Sequence, residues 1–408
     1  MRRRTLSSTS VVRSYNVAAV LQTLHRAGSC SRSELTELTR MSPSTVSRIT
    51  AQLIKRGIIV EERLGTSTGG RPPVMLRLDY EKLYVIGVRL MRDTVSLGIF
   101  DLNGRPVRKV SYAPYGWDPE FLIRELHERI DELLTDAGVR KRSHVLGVGL
   151  AVAGVVRSDD GTVVRSVNLG WRDVPVARML EEALGLPVLV ENDANAGALA
   201  EMWFGGAGDG GNVMYVKTDA GVGAGIVFEQ QLVTGPRGMA GEIGHIPFVA
   251  DGHPCRCGQR GCLETYVSMP DVLRRYAAAA GRSVDKQTFF DSAKKGDAAA
   301  VLLIEEAKST LTLALTAAAA MLDLDQIIVD GVWGRFSPEF LSGVQAGVQQ
   351  AMKRTGLDKQ VAVQPSRLGE DSDLLGAVGL VTNRLFSPPD VLTAESGGIR
   401  RWAGQADA

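Results

Sequence analysis

The first 80 residues show helical patterns of hydrophobic positions, followed by two strand-like patterns. Apolar residues at helical spacing mark a first helix at Val17, Val20, Leu21 and Leu24. A short second helix is predicted over Glu34–Thr39, with Ser31 or Ser33 as its N-cap. A third helix begins after Ser42, which is the predicted N-cap, because Pro43 suits the first helical position.

The third helix separates its apolar and polar residues onto two faces. Its inner stripe consists of Val46, Ile49, Leu53 and Ile54. The segments "IIVEERLG" and "VMLRLD" then predict two strands, joined by the loop "TSTGGRPP". Three helices and a hairpin over residues 13–80 predict a winged helix-turn-helix, whose third helix enters the DNA major groove. The predicted DNA contacts are Ser42, Ser44, Thr45, Arg48 and, at the tip of the wing, Arg71. The alternative is a small helical domain with a solvated polar face.

From residue 83 onward the pattern is that of an α/β protein whose theme occurs twice. The segments "LYVIGVRL", "TVSLGIFDLNG" and "RPVRKVSYAP" predict three antiparallel strands, and a helix follows over Pro119–Ala137. The glycine-rich hairpin "NVMYVKTDAGVGAGIVFEQQLVTG" opens the second half, which continues with a helix over Leu302–Leu322 and the buried strand "DQIIVDG". This repetition predicts two α/β lobes with a ligand cleft between them.

Composition is that of an ordinary soluble globular protein, and the charge is that of a basic N-terminal segment on a neutral body. The 408 residues are 44% hydrophobic and 23% charged, with a net charge of +1. Within residues 1–60, however, ten basic residues face two acidic ones. The start "MRRRTLSSTSVVRSYN" lacks the apolar core of a signal peptide, and the most apolar stretch, Leu311–Leu322, is too short to cross a bilayer. We therefore expect a cytoplasmic protein without membrane contact, with a disordered basic arm at residues 1–12 and a disordered tail at 387–408.

Three of the four cysteines lie in one loop, "HPCRCGQRGC". Reduced thiols are the rule in the cytoplasm, so a metal site explains this clustering better than disulfides do. Three thiolates and one imidazole form a tetrahedral zinc shell without an open position, which indicates a structural ion. The alternatives are three buried thiols, or a disulfide and a spare thiol, while Cys30 is expected to be a small residue at a helix boundary. The predicted ligands are His245, Cys255, Cys257 and Cys262.

Several motifs of the body resemble those of the ROK family of repressors and sugar kinases. The motifs are "AGVGAGI", "ENDANAGALAE", "GEIGH" and "CRCGQRGCLE", and the wing "GGRPP" is similar to that of ROK repressors. The resemblance extends from about Leu83 to Phe386. It implies a two-lobed, actin-like and ribonuclease-H-like sugar-kinase fold, with lobes of about residues 83–195 plus 371–386 and 196–370. It also implies a homodimer or tetramer.

The same resemblance implies a sugar site. Asp193 matches the general base of the kinases, and His245 matches a histidine that binds zinc and faces the sugar. Glu242 and Glu264 match two acids that hold sugar hydroxyls, and the metal loop would keep them in place. The full predicted set is Gly154, Asn168, Asn192, Asp193, Glu242, His245 and Glu264.

The nucleotide motifs of the family are altered in this chain. The usual D-x-G-G-T is replaced by "VRLMRDTV", in which Arg89 replaces the aspartate and Met91 and Arg92 replace the glycines. The second phosphate loop reads "DAGVG", with Asp219 beside the phosphate path and Ala220 in place of a hydroxyl residue. The adenosine loop reads "DGVWG", and Trp333 is expected to intrude into it.

Together these changes predict a non-enzymatic sensor of a sugar or sugar phosphate. We expect it to bind an operator in double-stranded DNA, as a repressor of carbohydrate metabolism genes. The sequence leaves open an activating role instead of a repressing one. It also leaves open two different functions: an active ATP-dependent sugar kinase with an appended DNA-binding domain, and a regulator whose signal is a protein partner.

Overall fold

The chain folds into two compact units. The computed structural model describes residues 8–63, 73–139, 141–205, 207, 211–336, 338–354, 356 and 359–386. Among these, the first unit comprises residues 8–191 and 377–386, and the second comprises residues 192–376.

The N-terminal segment of the first unit contains three helices and a small antiparallel sheet of order β1-β3-β2. The bounds are α1 (Ser8–Ala27), β1 (Cys30–Ser31), α2 (Arg32–Thr39), α3 (Pro43–Lys55), β2 (Ile59–Arg63) and β3 (Val74–Leu78). The helices and the sheet bury a common apolar core that includes Val20, Leu24, Leu35, Val46, Leu53 and Leu76. This arrangement confirms the predicted winged helix-turn-helix.

Local capping explains where α2 and α3 begin. Ser31 Oγ accepts a hydrogen bond from the Glu34 amide at 3.2 Å, and the Glu34 carboxylate accepts one from the Ser31 amide at 2.7 Å. This capping box starts α2 at Arg32, two residues earlier than predicted. Ser42 caps α3 as predicted, because its Oγ accepts a hydrogen bond from the Thr45 amide at 3.2 Å.

One feature of this segment differs from the sequence prediction. Residues 1–12 were predicted to be disordered, but α1 already begins at Ser8, since no proline or glycine interrupts the helical pattern there. Cys30 lies at a helix boundary, between α1 and α2, as expected; there it forms a short strand opposite Leu76, so its thiol is buried by sheet formation. Residues 1–7, the wing loop 64–72 with Arg71, and the tail 387–408 lie outside the described residues.

The remainder of the first unit is built on a five-stranded sheet of order β11-β7-β4-β5-β6. Strands β4 to β6 are antiparallel, and β7 lies parallel to β4. A second sheet of order β10-β9-β8, which was not predicted, follows β7. The bounds are β4 (Tyr84–Met91), β5 (Thr94–Asp101), β6 (Pro106–Tyr112), α4 (Pro119–Asp136), β7 (Val145–Val152), β8 (Val155–Arg157), β9 (Thr162–Ser166), β10 (Trp171–Val174), α5 (Val176–Leu184) and β11 (Val188–Asn192).

The second unit repeats this design with a sheet of order β14-β13-β12-β15-β16. Here β12 to β14 are antiparallel and β15 lies parallel to β12. Both five-stranded sheets thus place their strands in the spatial order 3-2-1-4-5, which confirms the predicted repeat. The bounds are α6 (Asp193–Ala200), β12 (Val213–Thr218), β13 (Val222–Phe228), β14 (Gln231–Leu232), α7 (Glu264–Val267), α8 (Met269–Ala280), α9 (Lys286–Lys294), α10 (Ala298–Leu322), β15 (Gln326–Gly331), α11 (Val332–Phe336), α12 (Pro338–Arg354), β16 (Ala362–Pro365) and α13 (Ser372–Phe386).

The end of α13 packs tightly within the first unit. A Cβ atom on Gly149 of β7 would lie 1.7 Å from the Ala377 carbonyl oxygen, so only glycine permits this approach of helix and strand. The last residue of α13, Phe386, stacks on His25 of α1 with ring centroids 4.6 Å apart. His25 Nδ1 also lies 3.1 Å from the Tyr80 hydroxyl. The N-terminal segment is therefore anchored to the closing helix of the body.

The long helix α10 is the centre of the core of the second unit. It begins at Ala298, four residues earlier than predicted, because the Asp297 carboxylate accepts a hydrogen bond from the Ala300 amide at 2.9 Å. Leu311 and Leu315 on its inner face are fully buried. Among the described residues, no helix combines the length and the apolar character needed to span a bilayer.

Candidate functional site

The predicted metal ligands converge in the second unit. One ligand atom from each of His245, Cys255, Cys257 and Cys262 lies within 4.8 Å of the other three. The cysteines are free thiols, and Cys257 is exposed, so neither alternative interpretation of the loop holds. The turn depends on Gly261, which has a φ of +76° and whose Cβ would lie 1.7 Å from the Val249 carbonyl oxygen.

The spacing of these atoms fits a tetrahedral ion. Cys257 Sγ and Cys262 Sγ are 3.7 Å apart, and Cys255 Sγ is 3.7 Å from His245 Nδ1. With zinc–sulfur bonds of about 2.3 Å, neighbouring sulfurs of a tetrahedron lie about 3.8 Å apart. Burial raises the pKa of Cys262 to about 12, with a further contribution from the two neighbouring thiols. A bound cation would favour the thiolate. The group could therefore hold a metal ion.

Three carboxylates beside these ligands form what we call the open cluster: Asp193, Glu242 and Glu264. Glu242 and His245 lie on a loop that rests directly on β13. Cβ atoms on Gly241 and Gly244 would lie 1.8 Å and 2.1 Å from the carbonyl oxygens of Ala224 and Val222. Glycine at these two positions thus lets the loop approach the strand.

Glu242 is the least engaged acid of the open cluster. Burial raises its pKa, the neighbouring His245 lowers it, and the negative charges of Asp193 and Glu264 raise it further. Among the residues that the structure describes, none donates a hydrogen bond to this carboxylate. The three acids are therefore close enough to interact, and Glu242 retains its acceptor capacity for a ligand.

Asp193 is held by a buried lysine. Lys217 Nζ donates to Asp193 Oδ2 at 2.8 Å and to Asp373 Oδ1 at 2.6 Å. The Lys217 side chain is 9% exposed. Asn192 caps α6 by accepting hydrogen bonds from the amides of Ala194 and Asn195, which fixes the backbone at Asp193. The predicted kinase base is therefore an ion-paired carboxylate.

A second group, which we call the closed cluster, surrounds Asp330 and comprises Tyr215, Asp330, Arg335 and Ser372. Asp330 is the penultimate residue of β15, and its side chain accepts four hydrogen bonds. Its Oδ2 accepts from Tyr215 at 2.6 Å and Ser372 at 2.7 Å, and its Oδ1 accepts from the Gly331 amide at 2.7 Å and Arg335 at 3.0 Å. Burial opposes ionisation, but the bonds from Tyr215 and Ser372 hold the pKa of Asp330 below its ordinary value.

The closed cluster lies where a nucleotide loop was expected. Asp330 and Thr218 are at the carboxyl ends of the parallel strands β15 and β12, and Thr218 Oγ1 donates to the Asp330 carbonyl at 2.6 Å. Ligands of α/β folds bind at this edge of the sheet. Asp219 adds a second carboxylate, 4.0 Å from Arg335. Burial raises the pKa of Asp219, whereas Lys217 and Arg335 lower it.

The expectation for Trp333 was wrong. This side chain is fully buried, donates to the Val267 carbonyl at 2.7 Å and stacks on Phe340 with ring centroids 4.5 Å apart. An indole satisfied in this way is a core residue, so it does not intrude into the loop.

Two predicted sugar contacts lie in the first unit. Gly154 follows β7 with a φ of +152°, and a Cβ there would lie 2.4 Å from the Arg165 carbonyl oxygen. Ser166 Oγ donates to the Ala153 carbonyl at 2.7 Å, which holds the turn against β9. Asn168 is exposed in the next turn. In the same unit, Arg89 and Met91 of β4 are half-buried, and Arg92 is exposed in the turn that follows.

The predicted DNA contacts share the start of α3. Ser44 and Arg48 are exposed, and Thr45 is half-buried. Ser42 Oγ caps the helix through the Thr45 amide and also lies 3.0 Å from Ser44 Oγ, so its hydroxyl is already engaged within the protein. Arg71 lies outside the described residues.

Sequence reasoning missed Lys217 and Asp330. Both interrupt apolar strands, "VMYVKT" and "QIIVDG", and both are less than 10% exposed. Because a charged side chain at a buried strand position needs a partner, the two charges within apolar strands indicate buried ion pairs or hydrogen bonds. The partners themselves are distant in sequence.

Comparisons with known proteins agree with the two-part architecture. The model of the ROK family matches residues 85–384, and that of the MarR family matches residues 14–64.

The xylose repressor of Caldicellulosiruptor bescii is 28% identical over 399 residues, covering 93% of this chain and 98% of that protein. The glucokinase of Halalkalibacterium halodurans is 31% identical over 318 residues, covering 73% of this chain and 94% of the enzyme. A crystal structure of a ROK family transcriptional regulator, a homologue of the E. coli MLC protein, covers 95% of this chain and 100% of its own, with a TM-score of 0.81 and 24% identity. These matches confirm the predicted resemblance and the fold.

Proposed function

Because the chain belongs to the ROK family, we propose that it is a sugar-responsive transcriptional repressor of carbohydrate metabolism genes. One contrast carries the proposal. The open cluster keeps carboxylate oxygens for a ligand, whereas the closed cluster uses its carboxylate internally. The chain also shares the full length of a repressor, including the winged helix-turn-helix, and not only the length of a kinase.

The proposed sugar site uses Asn192, Asp193, Glu242, His245 and Glu264 of the second unit. Gly154 and Asn168 stay candidates on the family resemblance alone. Carboxylates at fixed positions accept hydrogen bonds from neighbouring sugar hydroxyls. Within the described part of the chain, Glu242 is the acid of this set with the fewest internal bonds. Relatives are named for different sugars, xylose and glucose. We therefore propose only the class of the effector, a sugar or a sugar phosphate.

An active kinase is the second candidate, and the similarity to a glucokinase favours it. A general base, however, must be able to accept a proton, and Asp193 is ion-paired with Lys217 at 2.8 Å. Asp219 and Asp330 would also repel the phosphates of a nucleotide. Arg89, Met91 and Arg92 replace the residues expected to hold phosphate and magnesium. These observations support a regulator without catalytic activity.

The proposed cofactor is a structural zinc ion held by His245, Cys255, Cys257 and Cys262. Soft thiolate ligands favour zinc over calcium and magnesium. Four protein ligands complete a tetrahedron, so the ion would stabilise the loop and would not activate water.

The proposed DNA interface is the exposed start of α3, with Ser44, Thr45 and Arg48 towards base edges and Ser42 as the cap. Arg71 of the wing is the further candidate. A homodimer would place two such helices on two half-sites of a palindromic operator. A protein that acts on the chromosome in this way is expected in the cytoplasm.

Sugar can change operator affinity only by binding one conformation of the protein more tightly than another. A tenfold preference corresponds to about 1.4 kcal/mol. We propose that the sugar-bound conformation binds the operator more weakly, so that sugar induces expression of the repressed genes.

The direct test is fluorescence anisotropy with a labelled operator that has been selected from random DNA by the protein. Free and phosphorylated monosaccharides are added singly at constant salt, because phosphate contacts make affinity steeply salt-dependent. We expect one sugar class to raise the dissociation constant at least about tenfold, and Glu242→Gln to abolish this response while leaving operator binding intact. Sugar-induced release that persists in Glu242→Gln and Glu264→Gln would contradict the proposed sugar site. If no sugar releases the operator, a sugar effector is contradicted and a protein signal is favoured.

Arg48 provides a test of the DNA interface. If Arg48 reads a base, Arg48→Ala should cost about 1–3 kcal/mol at one operator position and relax the preference there. The matched control is Arg282→Ala, an exposed arginine of the second unit. Equal weakening at all operator positions would show that Arg48 contacts only phosphate.

A further inference from the structure

Arg256 links the metal loop, defined here as residues 253–262, to one acid of the open cluster. It lies between two predicted metal ligands, Cys255 and Cys257. Its Nη2 donates to Glu264 Oε1 at 3.0 Å. The Arg256 side chain is 65% exposed and that of Glu264 is 7% exposed, so an accessible cation reaches a buried carboxylate.

The loop backbone fixes the origin of the Arg256 side chain. The Cys255 amide donates to the Gln259 carbonyl at 2.8 Å, and the Gly258 amide donates to the Cys255 carbonyl at 3.0 Å. Gly258 has a φ of +96°, which suits glycine. Since the two flanking cysteines direct their sulfurs to the metal site, the tight turn leaves Arg256 to extend towards Glu264.

The second oxygen of Glu264 is placed by the sheet. Its Oε2 accepts a hydrogen bond from the Val222 amide at 3.2 Å, and a Cβ on Gly221 would lie 2.9 Å from the same atom. Each carboxylate oxygen can accept about two hydrogen bonds. Arg256 and Val222 therefore orient the group and leave acceptor capacity on both oxygens.

We propose that Arg256 is the positioning residue through which the metal loop holds Glu264 ready to accept a sugar hydroxyl. This inference rests on the proposed sugar site. A charge-assisted hydrogen bond to a buried carboxylate is stronger than a neutral one, so its loss would release Glu264 from the loop. Metal bound at Cys255 and Cys257 then affects sugar affinity through Arg256.

The test compares Arg256→Ala, Arg256→Lys and the control Arg260→Ala in the full-length protein. Arg260 lies in the same loop, but its guanidinium reaches a main-chain oxygen, that of Asp251 at 3.5 Å, instead of a carboxylate of the open cluster. Calorimetry with the sugar that releases the operator measures affinity, and a chelating dye measures metal content. We expect Arg256→Ala to weaken sugar binding about tenfold or more, Arg256→Lys to recover part of the affinity, and Arg260→Ala to match the wild type. Metal content should stay unchanged in all three.

A double-mutant cycle with Glu264→Gln separates positioning from general damage. Arg256→Ala should cost less than about twofold in the Glu264→Gln background, because the partner carboxylate is already gone. Additive losses, or loss of metal in Arg256→Ala, would overturn the inference. If the wild type binds sugar and Arg256→Ala binds it equally well, the inference fails and the proposed function stands. If the wild type binds no sugar, both fail.

Discussion

The open and closed clusters show how one unit gives similar groups opposite roles. Asp330 of the closed cluster is surrounded by donors, and its pKa is lowered despite burial. Glu242 of the open cluster is half-buried beside other acids, and its pKa is raised by burial and by the charges of Asp193 and Glu264. The closed cluster thus satisfies its carboxylate with donors of the fold, whereas in the open cluster Glu242 has no hydrogen-bond donor among the described residues. That difference is typical of a structural group and a binding group, respectively.

Lys217 lies at the boundary of the two clusters, and its substitution should lower the stability of the protein more than any other change considered below. It pairs with Asp193 of the open cluster and with Asp373, which follows Ser372 of the closed cluster. Lys217→Met should lower the free energy of unfolding by about 3–5 kcal/mol, because two carboxylates lose their cation.

Urea denaturation measures this change. The control is Lys308→Met, which removes a partly exposed pair with Glu305 and should cost less than about 1 kcal/mol. Equal stability of Lys217→Met and the wild type would mean that the buried ion pair contributes nothing.

Asp330→Asn should separate the closed cluster from ligand binding. We expect a loss of about 3 kcal/mol in unfolding free energy, because donors from Tyr215, Ser372 and Arg335 lose a charged acceptor. Sugar affinity should be retained. Asp325→Asn, at an exposed carboxylate that accepts from the Asn212 amide, is the control with a smaller loss. A large drop in sugar affinity would show that the two clusters are not independent.

Glu242→Gln should have the opposite effect to Asp330→Asn: sugar binding should weaken and stability should be retained. Sugar affinity should fall by about 2 kcal/mol, because a charged acceptor is lost. Burial disfavours the Glu242 charge, so the neutral side chain should leave the unfolding free energy unchanged or slightly higher. Calorimetry and urea denaturation on the same sample measure both. Loss of stability together with unchanged sugar binding would reverse the assignment of the open cluster.

Asp219→Asn should have the smallest effect and a distinctive pH dependence. Burial raises the pKa of Asp219 above its ordinary 3.8, so the unfolded chain loses this proton more readily than the folded protein. In the wild type, the protonated Asp219 is compatible with burial, so the folded state is favoured at low pH. This stability is lost as the pH rises from 3.8 through the raised pKa. The variant should therefore be more stable by up to about 1 kcal/mol at pH 7, and the difference should vanish near pH 3. A variant that is less stable at pH 7 would contradict the sign.

The sequence predicted the features whose signals are local. The loop with Cys255, Cys257 and Cys262 spans eight positions, and only one further ligand, His245, is needed. The Ser42 cap and the repeated strand hairpins also depend on neighbouring residues.

The contacts that it missed depend on tertiary folding. Lys217 is 156 residues from Asp373, so the sequence can show that a buried lysine needs a partner but cannot identify it. Trp333 was misjudged for a similar reason, because the Val267 carbonyl and Phe340 that satisfy its indole come from other elements. The placement of Glu264 by Arg256 follows from the conformation of the loop, which the order of residues alone does not reveal.

The proposed function depends on a sugar site that is usable and a nucleotide site that lacks the residues expected to hold phosphate and magnesium. Calorimetry of one sample with the effector sugar, and then with ATP and magnesium, measures both properties. We predict saturable heat with the sugar, none with nucleotide up to millimolar concentration, and no phosphorylated sugar after prolonged incubation. Saturable binding of ATP and magnesium with turnover of the sugar would contradict the proposal.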